Sequence, residues 1–426
     1  MDTIFAQASA PGKAGVAVIR VSGPLAFQAV EHLAGDIPKP RYAALRKLKT
    51  PGGEVIDEAL VLCFAENASF TGERVVEFQL HGSIAVVASV MGELTVLKGF
   101  RPAEPGEFTR RALENGRLDL AQVEALADLI DAETEAQREQ AMRLFSGALG
   151  QAVAVWRDKL IHALSLLEAT LDFADEEVPV DVTPDVLGLV TTVKEDVERE
   201  LRGYSAAERI RSGFEVAIVG APNVGKSTLL NRLAGRQAAI VSAVAGTTRD
   251  VIEVRMDIKG LAVTFLDTAG LRETDDEIEA IGVDLARRRA ANADLRVFLV
   301  DDSVATGIVA QPDDIVVRSK IDLRGGEGIS AVTGEGIDAL LSRLHGILVR
   351  RSANAGLVTR ERHRAAMIDG QQRLGNALAL LARGPDVYDQ VAEELRLAVR
   401  RLAHVMGKVD VEDILDSVFN RFCLGK

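Results

Sequence analysis

The sequence predicts a multidomain α+β protein: an N-terminal α+β domain, a helical bundle, and an α/β domain inserted into that bundle. Three observations predict it. Short strand-like runs broken by Gly/Pro turns fill residues 1–117. An apolar period of helical type begins near Leu120 and stops near Ser212. A strand-first unit follows to about Val349, after which the helical period returns.

With 426 residues the chain has enough length for two or three separate cores. A hydrophobic content of 47% with 27% charged residues is that of a folded soluble chain, not a disordered one. No apolar run approaches the roughly 20 residues of a membrane span. The start, MDTIFAQASAPGKAG, lacks the basic and apolar regions of a secretory signal. Cys63 and Cys423 are the two cysteines, too few for a disulfide framework or a thiolate zinc site, so a reducing cytoplasm is expected. The formal charge of −13 argues against a broad nonspecific grip on nucleic acid, and 4% aromatic residues against recognition by base stacking.

In the first domain, GVAVIRV, EALVLCF and RVVEFQL read as strands, and EFQLHGSIAVVASVMGEL as strand, turn and helix. ENGRLD reads as the turn into the bundle. Leu120, Val123, Leu126, Ile130 and Leu144 then fall near one side of a helix. A second apolar stripe runs through Val155, Leu160, Leu164, Leu167 and Leu171, and a third through Val190, Val193, Val197 and Leu201. After the strand-first unit come Leu374, Leu378 and Leu381, then Val391, Leu395, Ala398, Leu402 and Val405. The expected domains are 1–117, 118–212, 213–349 and 350–426, the second and last forming one interrupted bundle. Two separate helical domains are the alternative. Neighbouring chain ends at a domain surface make an insertion physically easy.

GAPNVGKS, residues 220–227, fits G-x-x-x-x-G-K-S and stands between the strand FEVAIV and the helical run TLLNRLAG. Its glycines allow backbone N–H groups to converge on phosphates at a helix N-terminus. Lys226 is expected to reach the β- and γ-phosphates and Ser227 to ligate Mg²⁺. DTAG starts at Asp267, where a carboxylate can hold magnesium through water and the Gly270 N–H can sense a γ-phosphate. AGTTRD, residues 245–250, offers a threonine that completes the magnesium shell only while that phosphate is present.

Guanine is the expected base. Asp322 in RSKIDL can accept from N1–H and N2–H₂, a donor pair adenine lacks on that edge, while the Lys320 stem packs along the ring. The backbone of Ser330 and Ala331 can donate to O6. Ser319 stands where Asn is usual, which removes an amide able to tie this loop to the phosphate loop and predicts weaker nucleotide binding. The stretch between VFLVDD and DDIVVRSK is also short, with room for little more than a loop.

Leu271 occupies the position where many such enzymes carry a water-orienting glutamine. The nearby carboxylates are Glu277 and Glu279, about 200° apart on a helix, so only one need face the site. Both are alternatively solvated surface charges.

Across GVAVIRVSGP, RPAEPGEFTRRALENGRLDLAQVEALADLI, GAPNVGKSTLLNRL, SAVAGTTRDV, DTAGLRETDDEIEAIG and FNRFCLGK, the chain resembles the tRNA-modification GTPase family MnmE, also called TrmE. The resemblance implies a folate-binding-like α+β domain, a helical domain and an inserted Ras-like α/β P-loop GTPase domain. It implies a potassium ion beside the phosphates, with Asn223, Ser242, Val244 and Thr247 in its ligand region, and Thr248 beside Ser227 as a magnesium residue. Glu279 falls on the family's catalytic glutamate, which orients water through a second water. The implied nucleotide site is Asn223, Val224, Gly225, Lys226, Ser227 and Thr228, then Ser242, Ala243, Val244, Ala245, Gly246, Thr247 and Thr248. Asp267, Thr268, Ala269 and Gly270 close it on the phosphate side, and Lys320, Asp322, Ser330 and Ala331 on the base side.

The family also implies a constitutive homodimer, a flavin-dependent (FAD) MnmG-like or GidA-like partner in a heterotetramer, and tRNA as substrate. A 5-formyl- or 5,10-methylene-tetrahydrofolate would supply the carbon placed on the wobble uridine. Arg20 is the tentative folate contact, alternatively a turn-closing residue. Arg110 and Arg111 face either the cofactor or solvent. Cys423 is either a small buried hydrophobe or a thiol needed for modification; CLGK lacks the aliphatic pattern of a prenylation signal. The rival readings are a regulatory GTPase using the folate-like domain as a scaffold and a ribosome-assembly GTPase.

Overall fold

The computed structural model describes residues 2–172, 181–221, 223–236, 253–267, 291–301, 310–407 and 425. Contacts gather the chain into two units, Met1–Ala127 with Ala403–Lys426, and Asp128–Leu402.

The first unit is built on a six-stranded sheet ordered β3-β4-β5-β2-β1-β6. Its strands are β1 Thr3–Gln7, β2 Ala14–Ser22, β3 Ala44–Lys49, β4 Val55–Phe64, β5 Val75–Gly82 and β6 Phe100–Pro102. Neighbours are antiparallel except β1 and β6. Alternation sorts the side chains: Phe5 enters a core with Ile19, Val21, Val61 and Phe78, while Ile4 and Ala6 join Ala103 and Phe108 in a second cluster. Helices α1 (Ala26–Ala34) and α2 (Ile84–Thr95) place Val30, Leu33, Val90 and Leu94 in the larger core.

Helix α3 (Glu107–Glu114) corrects the expectation for Arg111. The residue is 8% exposed, so its guanidinium does not face solvent. It donates to Asp2 Oδ1 at 2.8 Å, Glu107 Oε1 at 3.0 Å and Glu73 Oε1 at 3.1 Å. Burial alone would raise the Glu107 carboxyl, but hydrogen bonds from Arg101, the Glu104 amide and Arg111 outweigh it and hold it low. The Arg101 hydrogen bond does the same for Asp2, against its burial.

The apolar run from Leu120 to Leu144 forms two helices, where one helical face was expected: α4 (Leu120–Ile130), most of which belongs to the first unit, and α5 (Glu135–Phe145) in the second unit. Thr134 starts the second: it and Gln137 make a reciprocal capping box that favours a fresh N-terminus. Helix α6 (Ala148–Asp172) buries Trp156, Leu160, Leu164 and Leu167, whereas Val155 and Leu171 are exposed. Helix α7 (Thr183–Ser212) packs against α6 and against α11 (Glu361–Leu381). Val190, Val193 and Val197 face inward as their spacing predicts. At Gly203 an added Cβ would lie 2.5 Å from the Gly356 nitrogen, so two backbones meet where only glycine fits. Helix α12 (Tyr388–Ala403) buries Val391, Leu395, Ala398 and Leu402.

The sheet of this unit runs β11-β10-β7-β9-β8. The strands are β7 Phe214–Gly220, β8 Glu253–Ile258, β9 Leu261–Asp267, β10 Leu295–Val300 and β11 Ile315–Arg318. Only β8 is antiparallel to its neighbour. Helices α8 (Lys226–Ala234), α9 (Ile321–Arg324) and α10 (Ile337–Ser352) complete the described elements, and Leu229, Leu233, Leu344 and Leu348 bury against the sheet. The Ala136 amide donates to Gly260 O at 3.1 Å, and Arg255 pairs with Glu133 at 2.7 Å, so the start of α5 holds the β8–β9 hairpin. Among the described residues no helix is long and apolar enough to cross a membrane.

Both lowered carboxyls of the α3 network stabilise the fold fully above their ordinary values of 4.5 for Glu107 and 3.8 for Asp2, and lose that contribution as pH falls through the lower folded values. Glu107→Gln is therefore expected to be less stable than the parent at pH 7, with the gap closing as pH drops below 4.5. Guanidinium unfolding from pH 7 to pH 3 measures it.

Candidate nucleotide site

Strand β7 is central in the second sheet. The chain leaves it first for β8 and β9 on one side and then for β10 and β11 on the other. A crevice at the carboxyl ends of strands arranged this way is where open α/β sheets hold ligands. The loop following β7 and the end of β9 both open there, since Ile218 is in register with Asp267.

Gly220 ends β7 against β10. An added Cβ would lie 2.6 Å from Leu299 O and 2.7 Å from Val224 Cγ1, which excludes any side chain. Val224 is fully buried beneath the loop. Asn223 takes φ 60° and Gly225 φ 110°, the left-handed geometry that turns successive amides inward before α8 begins. Asn223 and Thr228 are exposed.

Lys226 is 7% exposed and donates to Gly220 O at 2.7 Å and Ala221 O at 3.0 Å. Burial pulls its ammonium below the usual lysine range, opposed by the Asp267 carboxylate. Ser227 Oγ donates to Asp267 Oδ2 at 3.0 Å, and Asp267 is 5% exposed. A hydroxyl and a carboxylate brought together at a helix N-terminus form a hard-oxygen pair suited to Mg²⁺ beside phosphate. No group of three or more His, Cys, Asp or Glu side chains with metal-ligand geometry occurs among the described residues.

On the base side, Lys320 takes φ 60° and caps α9, which carries the exposed Asp322. Ser330 is fully buried. Its amide donates to Glu335 O at 3.0 Å and its hydroxyl accepts from the Thr333 amide at 3.1 Å. Of the two amides expected at guanine O6, that of Ser330 is thus engaged within its own loop, and Ala331 is the half-buried residue beside it.

In the first unit Arg20 pairs with Glu77 at 2.9 Å, lies over the Phe108 ring at 5.8 Å and donates to Gly425 O at 3.3 Å. Sequence reasoning did not connect this arginine with the chain's end. Gly425 itself fits closely, since a Cβ there would come within 2.3 Å of Gln7 O. Residues 242–248, 268–270, Leu271, Glu277, Glu279 and Cys423, with the short stretch 302–309, lie outside the described residues.

A family model described as the MnmE helical domain matches residues 120–423, and one described as the GTP-binding protein TrmE N-terminus matches residues 3–117. The tRNA modification GTPase MnmE of Roseobacter denitrificans is 58% identical over 428 residues, covering 100% of both chains. The chain belongs to the MnmE family. The MnmE proteins of Ruegeria pomeroyi and of Cereibacter sphaeroides (strain ATCC 17029) are 58% and 59% identical over 429 residues, again covering 100% of each chain. Among solved structures, the G domain of the T. maritima FeoB iron transporter matches 33% of this chain and 98% of its own length at 25% identity, with a TM-score of 0.24.

For an MnmE-family phosphate loop, the absence of a side chain at position 220 is a hard limit. Gly220→Ala is expected to cost about 1–3 kcal/mol of stability through overpacking and to weaken GDP binding; urea unfolding and a fluorescent-GDP titration measure the two.

Proposed function

We propose that the chain hydrolyses GTP to GDP and phosphate to drive a conformational step in tRNA modification. The modification is a carboxymethylaminomethyl or aminomethyl group at C5 of the wobble uridine, position 34, of certain tRNAs. The observation that carries this reading is the end-to-end match to proteins named tRNA modification GTPases. The phosphate loop and its Ser227–Asp267 contact supply chemistry consistent with it.

Lys226, now bonded to two loop carbonyls, exchanges those acceptors for β- and γ-phosphate oxygens when GTP binds. Backbone amides of residues 223–228 cradle the phosphates, and Ser227 with Asp267 would hold Mg²⁺. Asn223 would offer an amide oxygen to K⁺, with Ser242, Val244 and Thr247 as its further ligand region, and Thr248 would be the second magnesium residue. Bound there, the two cations would supply positive charge against that developing between the β- and γ-phosphates. Glu279 orients the attacking water in place of the glutamine that Leu271 replaces. Lys320 and Asp322 select guanine.

The domain layout fitting this work is 1–117, a helical domain of 118–212 with 350–426, and a GTPase domain of 213–349 between its halves. Packing of α7 against α11 across that interval supports it. The chain would act as a homodimer and with an FAD-dependent MnmG-like protein that supplies much of the RNA surface. A formyl- or methylene-tetrahydrofolate would reach the first unit near Arg20. Because Glu77 already pairs with Arg20, a folate carboxylate there competes with an internal ion pair.

Two measurements test the reading. Cells lacking the chain should lose the C5-modified nucleosides of wobble uridine and regain them on complementation; Cys423→Ser should fail to restore them while hydrolysing GTP normally. Unchanged nucleosides in its absence would overturn the assignment. Potassium, but not sodium at matched ionic strength, is expected to accelerate GTP turnover and to promote pairing of GTPase domains; equal steady-state rates in the two salts would remove the cation from the mechanism.

A further inference from the structure

The base-recognition stretch carries Ser319 where an asparagine is usual, and the structure gives this loop a different anchor. Ser319 is 4% exposed. Its amide donates to Val300 O at 2.9 Å and its hydroxyl reaches the same carbonyl at 3.4 Å, so the side chain is committed to the end of β10. Ser319 also bridges Ile329 in parallel, and the Ile321 amide donates to Ile329 O at 3.3 Å.

Between these fixed points Lys320 adopts φ 60°, a conformation that a residue with a side chain keeps only where its surroundings hold it. Its ammonium lies 3.9 Å from Asp301 Oδ2. Asp301 directly follows the carbonyl that Ser319 uses, and its side chain is 12% exposed against 33% for Lys320. The carboxylate is therefore the more firmly seated partner. Holding the ammonium restricts the four-carbon stem, the part of Lys320 that packs along a purine ring.

We propose that Asp301 is a positioning residue for the guanine nucleotide: by holding Lys320 it fixes the base-recognition loop in a chain whose residue 319 has no side-chain amide for that task. Asp301 acts through Lys320, and the proposal rests on the GTP reading above. Its consequence is a separation of effects. Loss of the carboxylate loosens the hold on the base, while the phosphate side, built on β7 and β9, is left as it was.

The test uses the full chain, fluorescent GDP for affinity, and steady-state GTP hydrolysis in potassium. D301N is expected to raise the GDP Kd and the GTP KM by about three- to tenfold, with a smaller change in kcat. D301E, which keeps the charge, should stay within about twofold of the parent. Adding S319N to D301N should recover affinity by restoring a side-chain amide to the loop. An unchanged Kd in D301N, or a fall in kcat at saturating GTP with Kd unmoved, overturns the proposal. If D301N does not fold, D301E decides: a Kd more than about tenfold above the parent overturns it, and one near the parent supports it. Absence of GDP binding by the unaltered chain would sink the GTP reading and the proposal with it.

Discussion

The contact between Ser227 Oγ and Asp267 Oδ2, 3.0 Å long, sets the terms for the rest of the nucleotide face. Its two residues lie 40 positions apart in the chain and meet because β7 and β9 are adjacent, parallel and in register at Ile218 and Asp267. Parallel neighbours end on the same edge, so loops from distant parts of the sequence converge there without a long connection. The requirement for this edge explains the composition of β7, whose Val216, Ala217, Ile218 and Val219 are all buried. A strand covered on both faces cannot alternate polar and apolar residues.

How much of this was legible depended on the range of the interaction. GAPNVGKS is a local instruction: its glycines, lysine and serine act within one turn and helix start, and the structure places them as the spacing implies. The inward faces of α7 and α12 are likewise local, set by the helical period. The break between α4 and α5 was present in the sequence as Thr134-Glu135-Ala136-Gln137, a capping-box signal overlooked beside the apolar period of the surrounding leucines. Arg111 was of another kind. Its i,i+4 partner Glu107 is visible in EFTRR, but Asp2 and Glu73 reach it only through the fold of the sheet. No pattern within a window of sequence contains that network. The Gly425 carbonyl at Arg20 was hidden for the same reason, with 405 positions between donor and acceptor.

The acidic balance of the chain survives the internal pairing of its charges. Carboxylates such as Asp2, Glu73 and Glu107 neutralise arginines inside the first unit, and Asp314 does the same for the 5%-exposed Arg296 in the second sheet. Such charges contribute nothing to the field felt by a distant polyanion. Each such pair removes one charge of either sign, so the net charge of −13 is left to the remaining side chains and still opposes a broad grip on a polyanion.

In the proposed GTP reading, phosphate and base are addressed by opposite halves of one sheet, β7 with β9 on one side and β10 with β11 on the other. The seam between them is the line where Gly220 meets Leu299. At the seam the strands are joined by backbone hydrogen bonds, which resist sliding, while beyond it each loop is fixed by its own contacts: Ser227 to Asp267, and Ser319 to Val300. The two loops thus share a rigid floor but not a side-chain tether at residue 319. A ligand long enough to touch both would supply the missing link itself, so its binding energy is partly spent on ordering the two loops relative to each other. In the GTP reading proposed above, that cost would fall on affinity, whereas the choice of base would fall to Asp322, on the far side of the seam. Weak holding and strict selection would be compatible in this arrangement because they would arise from different strands.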